Sequence, residues 1–324
     1  MSIYHLDFSS LSHSACEYHL YNDVVVGYKV KEPSVDMEYG SAVHHFAEHF
    51  ERTKNARESL DVAIEYLRPL KQTIEFSNKP YLNEDHLRVV CAKVASYIST
   101  SVYESVQLDK EFLIELPFSI PFTTATGVEI MISGTMDKLA QHVTNQKFFV
   151  RDWKTTSMWD KDEYLESCSL SAQLKVYCWA IRKLAQLFPE SIYAVVANAS
   201  KGYYFAAIDA IFLKPEAAQT VIKSTKNFAY SDAQLDELEA LILVQAERVI
   251  DMIADTSYRR KSGLLNGACL TKYGKCKYYD ACNAPDKACE STILKNNFKI
   301  QPYVPTAFRA LHQTQPVVQP INII

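Results

Sequence analysis

Two aspartates and a lysine carry the strongest chemical signal in this 324-residue chain: Asp137, in Gly134-Thr135-Met136-Asp137, then Asp152 and Lys154, in Asp152-Trp153-Lys154. Residues 128–140 and 147–154 are rich in β-branched and aromatic side chains and read as strands, with Thr144-Asn145-Gln146 as the turn between them. Such a hairpin can bring the two carboxylates together. Carboxylates that close repel unless a cation lies between them, and Mg2+ or Mn2+ suits hard oxygen ligands. Lys154 follows Asp152 by two residues and so points to the same strand face. Its ammonium can there orient an attacking water or steady charge developing on a phosphate. The implied chemistry is metal-assisted hydrolysis of a phosphodiester. An isolated D-x-K is short enough to be a solvated ion pair. Phe148, Phe149, Val150 and Trp153 point instead to a buried sheet, where unpaired charge is costly.

Other polar residues are spaced to join this site. Gln173 and Tyr177 lie one turn apart on a predicted helix over residues 170–188, interrupting an apolar stripe of Leu170, Leu174, Cys178, Ile181 and Leu184. Upstream, residues 40–50 read as a helix with Val43, Phe46, Ala47 and Phe50 on one face. That helix also carries His44, His45 and His49. Spacing alone leaves open whether these are surface residues, and whether His44 or His45 would be a ligand.

Together these residues resemble the RecB-type branch of the PD-(D/E)xK nuclease superfamily. The matching pieces are G-x-x-D at Gly134 and Asp137, D-x-K-T in Asp152-Trp153-Lys154-Thr155, Q-x-x-x-Y at Gln173 and Tyr177, and G-x-x-x-H at Gly40 and His44. The resemblance implies an α/β fold with a restriction-endonuclease-like core, a mixed central sheet flanked by helices. It implies that His44, Asp137 and Asp152 ligate the metal and that Lys154 is catalytic. It further implies that Gln173 and Tyr177 contact DNA or brace the site. The G-x-x-x-H register favours His44 over His45.

Four of the eight cysteines, Cys269, Cys276, Cys282 and Cys289, cluster near the end of the chain. Their gaps are wider than those of usual zinc knuckles and suit iron–sulfur ligation better. Zinc ligation, or plain reduced thiols, are the alternatives. RecB-type nucleases of the CRISPR-adaptation and AddB kinds use one early and three late cysteines to hold a 4Fe–4S cluster that pins their ends together. Ser10-Leu11, followed by Cys16-Glu17-Tyr18-His19-Leu20-Tyr21, is similar to the opening of those proteins, with Glu17 in place of their proline. The resemblance implies Cys16, Cys269, Cys276 and Cys282 as ligands, with Cys289 spare or exchanging for one of them. Cys91, Cys168 and Cys178 fall in helical patterns and read as packing residues.

The elements that must position these groups follow from periodicity. Helices are expected over residues 9–21, 40–50, 56–70, 83–103, 170–188 and 232–254, and strands over 111–122, 128–140, 147–154, 192–197 and 203–208. This pattern gives one nuclease domain over residues 1–295. It divides into a helical elaboration (1–105), a catalytic core (106–228), and a long helix with the cysteine-clamped C-terminal segment (229–295). Residues 296–324, with Pro302, Pro305, Pro316 and Pro320, read as an extended tail.

Composition narrows the function. The chain is 48% hydrophobic and 22% charged, with 34 basic and 38 acidic residues and a net charge of −4. That balance speaks against coating duplex DNA along its length. Arg259, Arg260 and Lys261, beside Tyr258, form the clearest basic–aromatic patch and suit a single strand held by stacking and phosphate contacts. The opening residues show neither a basic nor an apolar leader segment, and no apolar run approaches the ~18 residues of a membrane span. A cytoplasmic location, in a prokaryotic cell or a phage-infected host, is expected, with reduced or metal-bound cysteines. No G-x-x-x-x-G-K-[ST] loop is present, so unwinding would come from a helicase or recombination partner. The resulting expectation is a Mg2+- or Mn2+-dependent DNA exonuclease acting on single strands or duplex ends. The alternative is a non-catalytic DNA- or protein-binding subunit on the same fold.

Overall fold

A computed structural model describes residues 4–7, 11, 15–31, 34–69, 79, 81–108, 110–124, 126–254, 261–271 and 274–301. Along the chain, β1 (Tyr4–Asp7), α1 (Glu17–Leu20) and β2 (Tyr28–Val30) precede three helices, α2 (Val35–Thr53), α3 (Ala56–Leu67) and α4 (Glu84–Thr100). Four strands follow: β3 (Tyr103–Ser105), β4 (Ile114–Thr123), β5 (Glu129–His142) and β6 (Phe148–Thr156). Next come α5 (Lys161–Ser167), α6 (Ala172–Leu187) and α7 (Ile192–Ser200), then β7 (Tyr203–Phe212), β8 (Val221–Ser224) and β9 (Phe228–Ser231). The remainder holds α8 (Asp232–Ala254), α9 (Gly263–Asn266), α10 (Tyr279–Cys282), α11 (Lys287–Asn297) and β10 (Phe298–Ile300).

These elements fall into two compact units, and Pro33–Leu116 with Met136–Asp236 form the one that carries the aspartates and the lysine. Within it β5 pairs antiparallel with β6, while β6 runs parallel to β7 with Asp152 opposite Ile208. Strands β8 and β9 pair antiparallel with β7, and β3 pairs antiparallel with β5. The sheet is mixed. A parallel pair needs a crossover rather than a hairpin, and α5, α6 and α7 supply it. Strand β7 is buried over nearly its whole length, as a strand covered on both faces must be. Val43, Phe46 and Phe50 of α2 pack with Leu87 and Val90 of α4 and with Trp153 and Ile211 of the sheet.

A buried ion pair ties the two parallel strands together. Arg151 donates from Nε to Asp209 Oδ2 at 2.9 Å and from Nη2 to Asp209 Oδ1, and Tyr97 donates its hydroxyl to the same carboxylate at 2.6 Å. Burial opposes ionisation of Asp209, but the Arg151 charge and hydrogen bonds hold its carboxyl below the usual range.

The other unit contains Met1–Glu32, Pro117–Thr135 and Glu237–Ile324. Here β1 runs parallel to the start of β5, pairing Tyr4 with Ile130, and β10 pairs antiparallel with β2. Tyr278 stacks on Phe298 and meets Tyr18 edge-on, and Tyr18 donates its hydroxyl to Glu290 at 2.8 Å. Early and late segments of the chain thus share one small core.

Several expected elements change. Residues 192–197 form part of helix α7 instead of a strand: a short apolar run does not reveal its own period, and here only Ala194 and Val196 turn inward. The strand expected over 111–122 divides, with Glu111–Phe112 pairing with Gln107–Leu108 before β4 begins. Of the helix expected over 9–21, the described part is α1 and a wider turn at Tyr21–Val25. The tail beyond Gln301 lies outside the described residues. Among the described residues no helix is long and apolar enough to cross a membrane.

Candidate metal centre

Helix α2 supplies the first donor because a glycine lets it approach the sheet. A Cβ on Gly40 would lie 2.4 Å from Thr155 Oγ1, next to Lys154 on β6. The apolar face of α2, Tyr39, Val43, Phe46 and Phe50, is buried, which leaves His44 at the edge of that face. Its Nε2 lies 2.8 Å from Asp137 Oδ2 on β5. The same oxygen accepts the Trp153 backbone N–H at 2.9 Å, so β6 also fixes the carboxylate.

Glu115, which the sequence reading did not single out, completes the group. Its Oε1 lies 3.5 Å from His44 Nδ1. One ligand atom from each of His44, Glu115 and Asp137 falls within 4.8 Å of the others. Glu115 has φ 52, the left-handed region that non-glycine residues seldom occupy. Backbone of this kind costs about 1–3 kcal/mol and concentrates at functional sites. The signal in the sequence was slight: an acid inside an otherwise apolar strand, two residues before Pro117.

The electrostatics follow from two carboxylates flanking one imidazole. Burial opposes charge on His44, but Asp137 and then Glu115 outweigh it and raise its pKa well above the ordinary value. Asp137 is pulled the other way: burial works against its ionisation, yet His44, Lys154 and the Trp153 N–H hold it far below the usual carboxylate range. Asp152 is 0% exposed; Lys154 Nζ pairs with its Oδ2 at 2.7 Å, and its Oδ1 has no hydrogen-bond partner among the described residues. Burial and the charge of Asp137 push its carboxyl up to about 7, against the pull of Lys154. A fully buried carboxylate with so few partners is expensive. One imidazole and two carboxylates gathered this closely fit a hard divalent ion, with His44, Glu115 and Asp137 able to hold it.

Helix α6 adds the last polar pair. Gln173 Nε2 donates to the Tyr177 hydroxyl at 2.5 Å. Burial, then the charges of Asp137 and Asp152, raise the Tyr177 pKa well above its usual value, so its hydroxyl stays protonated beside the carboxylates. The structure therefore gathers His44, Asp137, Asp152, Lys154, Gln173 and Tyr177 in one place. His45 faces elsewhere: its ring packs on Tyr66 at 4.6 Å, and its Nδ1 is 3.9 Å from Glu48.

Residues 11–283 match the family model of the PD-(D/E)XK nuclease superfamily. The chain belongs to that superfamily. A solved structure titled "Crystal structure of SSO0001" is similar at 14% identity over 63% of this chain and 75% of that one, with a TM-score of 0.24. No curated protein matches the chain. Nucleases of the PD-(D/E)XK superfamily act on DNA and use divalent metal ions. The mixed sheet flanked by helices is the restriction-endonuclease-like fold of the superfamily.

In this PD-(D/E)XK nuclease the other unit carries the cysteine group. All eight cysteines are free thiols. A Cβ on Gly263, at the start of α9, would lie 3.2 Å from both Cys16 Sγ and Cys269 Sγ, so a bare glycine floors a cradle between two sulfurs. Burial raises the Cys276 thiol, and the charges of Cys16 and Cys269 add to it. The Cys282 thiol is pushed up to about 12 by burial and by Cys16, Cys276 and Cys269. Cys16 and Cys269 thus meet across Gly263, and Cys276 and Cys282 lie near enough to sense their charge, thiols of the soft kind that a thiolate-ligated group takes. Cys289 is exposed in the first turn of α11, and Cys91, Cys168 and Cys178 are buried. Arg259 and Arg260 lie outside the described residues. Lys261 donates to the Cys282 carbonyl at 2.6 Å and lies over the Tyr18 ring.

Proposed function

We propose that this nuclease is a Mg2+- or Mn2+-dependent DNA exonuclease acting on single strands or duplex ends, with its catalytic residues inside one nuclease domain over 1–295. The observation that supports the reading is the group of His44, Glu115 and Asp137, whose ligand atoms lie within 4.8 Å of one another, together with the fully buried Asp152 carboxylate paired with Lys154. A divalent ion, when bound, supplies positive charge against the phosphate being cut and eases ionisation of a water. His44, Glu115, Asp137 and Asp152 hold that ion. The Lys154 ammonium orients the attacking water and opposes charge growing on the phosphate. Tyr177, kept protonated and braced by Gln173, donates toward the same charge.

Cys16, Cys269, Cys276 and Cys282 hold a 4Fe–4S cluster that clasps early and late segments around their shared core. Lys261, with Arg259 and Arg260, grips the strand. Unwinding is left to a helicase or recombination partner, and the setting is recombination, repair or CRISPR adaptation in a prokaryotic or phage-infected cytoplasm.

Digestion of end-labelled single-stranded and duplex DNA with Mn2+ tests the reading, with Asp152→Ala and Lys154→Ala as controls. Mononucleotide release by the wild type and loss in both variants is expected. A wild type that cuts neither substrate, or variants that keep full activity, would overturn it.

A further inference from the structure

Just past the strand that carries Asp152 and Lys154, a tryptophan is held in the open over a buried ammonium. Strand β6 ends at Thr156, and Trp159 follows after two residues. The loop is tied at both ends. Met158 N–H donates to Thr156 Oγ1 at 3.2 Å, while the Asp160 side chain caps α5 by accepting from Asp162 and Glu163 N–H. The backbone on either side of Trp159 is therefore tied down, while its side chain is 80% exposed.

Lys214 occupies one face of that ring. Its Nζ lies 3.8 Å from the ring centroid, the residue is 7% exposed, and the ammonium has no hydrogen-bond partner among the described residues. A buried ammonium without hydrogen bonds is costly, and the indole face is what offsets it. The backbone of Lys214 is locked. Its N–H donates to Thr220 Oγ1 at 3.4 Å, and its carbonyl accepts from His86 Nε2 at 2.7 Å. A carbonyl can only accept, so His86 carries its proton on Nε2, and its Nδ1 accepts from the Tyr39 hydroxyl at 2.6 Å. Tyr39 precedes Gly40 on α2, so the platform is braced by the helix that presents His44.

We propose that Trp159, backed by Lys214, is a stacking platform for an unpaired base of the DNA strand being cut. The inference rests on the nuclease reading above. An exposed indole is sequence-tolerant toward bases, because every base has a π-face, and Lys214 against its other face with tied backbone on both sides lowers the cost of ordering it. Its place along the chain sets its place along the strand. Trp159 lies five positions after Lys154, a reach of at most about 18 Å for extended chain. At about 3.4 Å per stacked base, the contacted base lies within roughly five positions of the cut.

The chain's three tryptophans make this measurable. Trp153 and Trp179 are 6% and 0% exposed, which leaves Trp159 as the one a base can reach. The full-length protein is titrated in EDTA, where DNA survives, with a single-stranded oligonucleotide, and intrinsic fluorescence and anisotropy of a labelled strand are followed together. Quenching is expected in the wild type. Trp159→Phe loses the quench and keeps most of the affinity, whereas Trp159→Ala weakens binding about 5- to 150-fold. An oligonucleotide with abasic sites at its first five positions weakens wild-type binding similarly and costs Trp159→Ala nothing further. Unchanged binding by Trp159→Ala, or indifference of the wild type to the abasic sites, would sink the platform while Mn2+-dependent digestion persists. A wild type without such digestion fails at the nuclease reading itself, and the platform falls with it.

Discussion

His44 Nε2 and Asp137 Oδ2 lie 2.8 Å apart, joining helix α2 to strand β5 across more than ninety residues of sequence. The contact sets one imidazole between two carboxylates, because Glu115 meets the other ring nitrogen at 3.5 Å. An arrangement that holds its acids this close gains from a divalent cation, and the first prediction follows from that.

Mn2+ should bind the protein and stabilise it, by about 2.7 kcal/mol at a hundredfold excess over Kd. Glu115→Gln and His44→Ala should each weaken Mn2+ at least tenfold by calorimetry while circular dichroism stays native. Wild-type affinity in Glu115→Gln would remove Glu115 from the donor set.

Lys154 forms an ion pair with Asp152, but it is a cation and cannot ligate a metal. Lys154→Ala should therefore retain most of the Mn2+ affinity and lower kcat by about 100- to 1,000-fold, with KM little changed. A variant that loses metal and activity together would show Lys154 acting only through the fold.

Gly40 is where α2 approaches β6, 2.4 Å from Thr155 Oγ1 if a Cβ is added. Gly40→Ala should cost about 1–3 kcal/mol in urea unfolding by forcing helix and strand apart. Thr155→Ala on the same background should recover part of that loss, since it removes the clashing oxygen. Additivity of the two changes would mean that the close approach is not the cause.

Asp209 should make stability depend on acid pH. Its folded pKa is depressed below the unfolded value of about 3.9 by Arg151, so its contribution is complete above pH 4–5 and fades as pH falls through the folded pKa. Asp209→Asn leaves Arg151 buried and unpaired, and should cost about 3–5 kcal/mol at pH 7. Its urea midpoint should also lose part of the wild-type dependence between pH 5 and 3. A wild-type midpoint and pH slope in the variant would count against the pair.

Much of the sheet and site was legible because the signals are local. Asp152 and Lys154 are two apart on a strand, Gln173 and Tyr177 four apart on a helix, and backbone period alone puts each pair on one face. The cap of α4 is local in the same way: Asn83, just before the acidic first turn of Glu84 and Asp85, accepts the His86 N–H. Helix α7 was not legible. Its apolar run of Ile192, Tyr193, Val195 and Val196 satisfies a strand as well as a helix, and only its surroundings choose.

The sequence by itself determined the chemical inventory: two aspartates and a lysine on paired strands, a glutamine and tyrosine on a following helix, and cysteines toward both ends. Tertiary structure decided which residues join them. It turned His44 toward Asp137 while His45 packs on Tyr66, it carried Glu115 in from the start of β4, and it set Trp159 over Lys214 beyond the ends of two parallel strands. The physical reason is range. Spacing fixes neighbours within a turn or a strand, whereas contacts between distant segments depend on which faces bury together, and that is settled only when the whole core packs.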